Sequence, residues 1–176
     1  VGMFSLQNTS TGGNNTGLGY GTLYSNSTGT NNVALGACSL YANTTGAGNT
    51  AVGFQSMCNN TCGDNNTAVG VYALRANTTA TGNTAVGRET LRQATTGGQN
   101  TALGLQAGYN MTTGYQNSTT GEAALFYNTT GIRNTANGFR ALFCNTTANY
   151  NTAVGACSLY ANTTGAKNVA VGFQSL

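Results

Sequence analysis

A glycine returns every seventeen residues, at Gly2, Gly19, Gly36, Gly53, Gly70, Gly87, Gly104, Gly121, Gly138, Gly155 and Gly172, and the register never slips. A fixed period near twenty residues marks a repeat architecture, in which each copy buries its apolar face only against its neighbours. The chain is therefore read as one continuous array of about ten coils over residues 1–176. Its two ends fall at equivalent points of the repeat, so the array is read as a segment of a longer fibre protein.

One unit runs through Asn49-Thr50-Ala51-Val52-Gly53 and is closed by a turn of the type Asn43-Thr44-Thr45-Gly46. The first stretch is short, partly β-branched and bounded by glycine, which predicts a strand of about five residues. Alternation puts Thr84 and Val86 on one face of such a strand and Asn83, Ala85 and Gly87 on the other. Neither face is properly polar, which predicts burial of both, one in the coil's own core and one against something else, such as another chain. The second half carries a small residue and then Leu, as in Ala73-Leu74 and Ser158-Leu159, usually followed by an aromatic. Leu and Val together are expected to fill the core. Loss of Leu at Gly108 and interruption of the Val column at Thr120 and Asn137 then predict a soft region from Gly108 to Asn137. The glycine that ends the turn is expected at positive φ, with strain where Ala80 and Ala148 replace it.

Turn residues every few positions leave no stripe of 3.6-residue period, so helix is excluded. The predicted fold is all-β: a parallel β-solenoid, or β-roll, with one 17-residue coil per repeat. Successive coils lie about 4.8 Å apart and like side chains form ladders, so Val52, Val69 and Val86 should stand in one row. The absence of Pro agrees, since every coil must donate and accept hydrogen bonds along the axis.

Two asparagine columns stand out. Before the strand lie Asn15, Asn32, Asn49, Asn66, Asn83, Asn100, Asn117, Asn134, Asn151 and Asn168, and only Asn117 among them begins a glycosylation sequon. An Asn kept whatever follows it is used for its amide, which can hydrogen-bond along a stack of its own copies. In the turn, Asn26, Asn43, Asn77, Asn128, Asn145 and Asn162 begin Asn-x-Thr, and the sequon shifts by one residue to Asn8, Asn59 and Asn110. These nine are candidate N-glycan acceptors if the chain meets a glycosylation pathway. Composition alone is the competing explanation, because a chain so rich in Asn and Thr generates sequons freely.

Charged residues make up 5% of the chain against roughly 25% in an ordinary soluble domain. The net charge of +3 is scattered, with no run that would mark a nucleic-acid partner. No apolar stretch approaches a membrane span. Cys58 and Cys62 bracket one turn and are a disulfide candidate, whereas Cys38, Cys144 and Cys157 read as small apolar fillers. No His is present and no Cys-x-x-Cys pair, so no metal or other cofactor is expected beyond N-linked glycans. The acids Asp64, Glu89 and Glu122 are far apart, and no enzyme is expected.

The unit from Asn66 through Ala80 resembles the repeats of phage and viral tail-fibre-like proteins and of large surface proteins. More distantly it is similar to the β-roll heads of trimeric autotransporter adhesins. These resemblances imply an extracellular fibre on a cell surface, secreted filament or virion, with attachment or shaft duty and a homotrimer favoured over a single-chain rod. A surface glycan or receptor is the implied target. The expected function is a structural component of a filament or fibre shaft, adhesive and glycosylated in its turns. The alternative is an ice- or carbohydrate-binding β-solenoid module, which is ranked lower because Thr44 and Thr45 are adjacent and sit by a turn.

Overall fold

The computed structural model describes residues 2–176. It contains ten three-residue strands: β1 (Thr16–Leu18), β2 (Val33–Leu35), β3 (Thr50–Val52), β4 (Thr67–Val69), β5 (Thr84–Val86), β6 (Thr101–Leu103), β7 (Ser118–Thr120), β8 (Thr135–Asn137), β9 (Thr152–Val154) and β10 (Val169–Val171). All ten form one parallel sheet in chain order, each residue paired with its equivalent in the next coil: Thr50 with Thr67 with Thr84, Val52 with Val69 with Val86. The protein is a parallel β-solenoid with a seventeen-residue coil, and the described residues form no helix. The strands are shorter than five residues because the register glycine bends the chain directly after the third.

Coil positions are numbered here from the pre-strand asparagine, so that Asn49 is position 1, Gly53 position 5, Met57 position 9 and Asn65 position 17. Each coil bonds to both neighbours. In the strand run the Thr50 N–H donates to Asn66 O (2.9 Å) and the Gly53 N–H to Leu35 O (2.7 Å). Beyond the strand the ladder continues without regular strand geometry, through Leu40 N–H to Ser56 O (3.1 Å), Gln55 N–H to Ala37 O (2.9 Å) and Thr44 N–H to Thr61 O (2.9 Å). Backbone groups that would be orphaned in an irregular loop are thus paired along the axis.

This pairing holds a backbone that local preference would reject. Positions 7, 9 and 17 are left-handed in coil after coil although few are glycine: Tyr72 has φ 60°, Leu74 φ 49° and Asn65 φ 56°. A non-glycine residue in that region costs about 1–2 kcal/mol, and the inter-coil bonds offset it. Position 5 is different, with φ between +115° and +139° from Gly19 to Gly172. A Cβ at Gly70 would also lie 2.4 Å from Gly87 O, so conformation and crowding both require glycine there.

The turn glycine of position 15 is not at positive φ, and Ala80 and Ala148 are not strained in that sense, which corrects the expectation. Crowding restricts this position instead: a Cβ at Gly46 would meet Asn43 Oδ1 at 2.5 Å. At Ala80 the corresponding Asn77 bond lengthens to 3.3 Å, against 2.9 Å from Asn43 to Gly46.

The core also differs from expectation. It consists of the strand alanines (Ala51, Ala68, Ala85, Ala102), the leucine column (Leu40, Leu74, Leu91, Leu125, Leu142) and inward asparagines, all at or near zero exposure. The Val/Leu column of position 4 faces outward, with Leu35 at 40% and Val86 at 39%. Thr120 and Asn137 therefore remove no core methyls. Nor does Gly108 leave a void: Met111, fully buried, brings its Cε to 3.4 Å from where a Gly108 side chain would begin. The missing Leu and the missing turn Asn of one coil compensate each other. The irregularity that does enter the core is Thr119, buried where the other strands place Ala or Gly, with its hydroxyl donating to Thr101 O (3.4 Å).

Candidate functional site

Three surfaces and two interior columns are built by stacking, and the columns decide which surfaces are free. At position 1 each asparagine Oδ1 accepts the backbone N–H of the next one, at 2.9–3.0 Å from Asn15 to Asn168 without a break. Most also accept that neighbour's amide N–H, as Asn49 does from Asn66 (3.2 Å). The same amide closes its own coil, Asn66 Nδ2 donating to Ala80 O (2.8 Å).

A second amide column occupies position 12. Asn43, Asn60 and Asn77 each donate to the Oδ1 of the preceding copy, at 2.7, 2.7 and 2.6 Å, and Asn145 and Asn162 do so at 3.0 and 2.9 Å. Glycosylation at Asn26, Asn43, Asn77, Asn128 and Asn145 is therefore incompatible with this fold: all five are buried with no exposed area, and the amide that would carry sugar lies in the interior. Asn8 and Asn59, one position earlier, are exposed, and Asn110 and Asn162 are partly exposed. Two further exposed sequons lie at Asn14 and Asn65, hidden in the sequence because each directly precedes the pre-strand asparagine that sets the register. The clue to the second column was Asn60, which keeps its register although Asn59 carries the sequon there.

Neither is the disulfide present: all five cysteines are free thiols. Cys58 (position 10) and Cys62 (position 14) belong to different columns, separated by the inward Asn60. Burial, with Cys38 nearby, raises the pKa of the Cys58 thiol above its ordinary value, and Arg75 opposes this in part.

The first surface is the outer face of the sheet. It carries Thr at position 2 and Val or Leu at position 4, exposed or half-buried throughout, and no charged side chain stands in either row. The second is an aromatic column at position 10. Tyr24 and Tyr41 stack at 4.9 Å between centroids, and Tyr109, Phe126, Phe143 and Tyr160 stack at 5.1, 5.4 and 5.2 Å. Between the two stacks stand Cys58, Arg75 and Arg92; the Arg92 guanidinium lies 5.2 Å from the Tyr72 ring and 5.6 Å from Tyr109. Rings stacked at interplanar angles of 2–21° cover one another's faces, which leaves edges for solvent. A shallow pocket of about 130 Å³ opens among Phe4, Tyr20, Gly21, Tyr24 and Tyr41. The third surface is the turn edge, where position 13 hydroxyls bond to the next coil, as Thr44 to Thr61 O (3.0 Å). Position 14 presents an exposed threonine in nearly every coil, with Cys62 in one.

Two of the three acids have partners within the coil stack, and the third, Glu122, is exposed. Asp64 Oδ1 accepts the Ala47 N–H (2.8 Å), and Glu89 accepts from Gln106 (2.7 Å) beside Arg92 and Arg88 at 3.6 and 3.8 Å. Among the described residues no three His, Cys, Asp or Glu lie together as metal ligands, and no helix is long and apolar enough to cross a membrane. Compared with protein-family models, with curated proteins and with solved structures, the chain has no match.

Proposed function

We propose that the chain is a shaft: a stiff rod of stacked coils whose work is mechanical and spatial, in an extracellular fibre or filament. The observation that carries this reading is the investment of the interior. Every coil repeats the same inter-coil backbone bonds, and the inward polar groups are spent on amide bonds to the next coil rather than gathered into a site. Interior amide ladders resist bending and shear because displacement of one coil breaks several bonds at once. The sparse charge and the resemblance to fibre repeats support the extracellular setting. Glycans, where a pathway supplies them, would sit on the exposed sequons Asn8, Asn14, Asn59 and Asn65 rather than on the turn register.

Immunogold labelling of the cells or particles that make the protein tests this. Gold along the sides of filaments is expected; a soluble intracellular distribution, or label confined to fibre tips, would overturn the shaft.

A second reading, an ice- or carbohydrate-binding module, gains from the outward threonine row of the sheet. The bulky Leu18, Leu35 and Leu103 stand in the adjoining row, and the stacked rings offer few free faces to a sugar. Thermal hysteresis of the purified chain decides the ice reading: none is expected.

A further inference from the structure

Position 6 follows the sheet face directly, across the bend at the register glycine, and Phe54, Leu105 and Phe139 there are exposed. Rows 2, 4 and 6 together make a long strip in which apolar side chains of rows 4 and 6 run beside the hydroxyl row 2, on the order of 650 Å² over nine coils at ordinary strand spacings. That is close to the roughly 800 Å² per partner of a standard protein interface, and the exposed Leu35, Phe54, Val86, Leu103, Leu105 and Phe139 give it the apolar content of a contact surface.

The exceptions in rows 2 and 6 are placed symmetrically, whereas those of row 4, Thr120 and Asn137, both lie on one side of Leu103. Row 6 holds two charges, Arg88 and Glu122, one coil to either side of Leu105. Row 2 holds Val in place of Thr or Ser only at Val33 and Val169, four coils to either side of Thr101, which lies in the same coil as Leu105. Two independent rows thus share one centre. A twofold axis lying across the strip at that coil turns each row onto itself with its height inverted. Arg88 then faces the partner's Glu122, Val33 faces the partner's Val169, Leu105 faces its own copy, and Phe54 faces the small Ala156 of the partner. An axis along the rods does none of this: it sets row 6 against row 2 at equal height, leaving Arg88 over Thr84 and Glu122 over Ser118.

We propose that the outer face of the sheet binds a second copy of this chain antiparallel, through an isologous contact centred on Leu103 and Leu105 with two Arg88–Glu122 pairs. In a closed twofold contact each such pair occurs twice, so its effect on affinity is doubled. The consequence is side-by-side joining of rods that run in opposite directions, which is the contact of a bundle rather than of a parallel trimer. The proposal rests on the rod reading but can fail without it.

Sedimentation of the full chain over a wide concentration range tests it. A reversible monomer–dimer equilibrium is expected. Arg88→Glu and Glu122→Arg alone should each weaken the dimer by roughly tenfold, from two lost pairs and new like-charge contacts. The double exchange should restore most of the affinity. Mild oxidation of a Leu103→Cys variant should crosslink it to its own copy well beyond the unmodified chain, while Val52→Cys should not crosslink beyond it. An elongated species that stays monomeric at high concentration would overturn the interface and leave the shaft standing. A dimer indifferent to both charge reversals, or one crosslinked through Val52→Cys, would overturn the antiparallel arrangement.

Discussion

The two asparagine columns are made of the same side chain, stacked at the same interval, yet one runs unbroken from Asn15 to Asn168 and the other is interrupted at Ala94 and Met111. The difference lies in what each Oδ1 accepts. At position 1 it accepts a backbone N–H as well as the neighbouring amide, so a missing asparagine orphans a buried main-chain donor. At position 12 it accepts only the next amide, and a missing member leaves a lone acceptor, as at Asn77, whose Oδ1 has no hydrogen-bond partner beside Ala94. A column is therefore fixed by the backbone group it satisfies rather than by its own amide contacts.

Substitutions can break or sharpen this contrast. The largest loss is expected for Asn66→Ala, which orphans the Asn83 N–H and removes the shorter of the two bonds to Ala80 O. About 4 kcal/mol of unfolding free energy should disappear in a denaturant titration. Asn43→Ala, in the intact part of the second column, should cost about half as much, roughly 2 kcal/mol. Equal losses would refute the distinction.

Joining the two runs of the second column should work in the opposite direction. Ala94→Asn alone satisfies Asn77 but creates a new lone acceptor against Met111, so its net effect should stay within about 0.5 kcal/mol. Adding Met111→Asn together with Gly108→Leu restores the ordinary coil. The triple variant should gain no more than about 1 kcal/mol, because burial of the leucine and closure of the amide column are partly offset by the strain of a side chain at φ 62°, where Leu91 Cδ2, 2.8 Å from the new Cβ, must also shift. Smallest of all, Val86→Thr should change monomer stability by no more than about 0.5 kcal/mol, since this column lies outside the core. A loss of core size there would return Val to the interior.

The period, the parallel stacking and the row Val52, Val69, Val86 were legible because self-similarity at a fixed interval needs no knowledge of side-chain direction. Which face of the strand turns inward was not. With Thr84 and Val86 on one side and Ala85 on the other, hydrophobicity favours the valine face, but the inward position opposite leucine takes only small residues: alanine in eight strands, Gly17 and Thr119 in the others. The left-handed residues Tyr72, Leu74 and Glu89 were equally hidden, because inter-coil hydrogen bonds override the preferences by which turns are read from sequence. Of the surface, the sequence shows an aromatic after the core leucine in most coils but not how these rings meet. The stacks of Tyr24 with Tyr41 and of Tyr109 through Tyr160 emerge only once position 10 is aligned coil by coil.

Everything above depends on like meeting like at intervals of seventeen. The most direct test is excision of residues 66–82, one full coil, beside excision of residues 66–81, followed by heating each variant under circular dichroism. The first should melt cooperatively within a few degrees of the parent, since Asn65 then leads into Asn83 and every column closes over the gap. The second should lose cooperative melting, because the coil that follows is out of step by one residue. Equal behaviour of the two deletions would contradict the stacked-coil account.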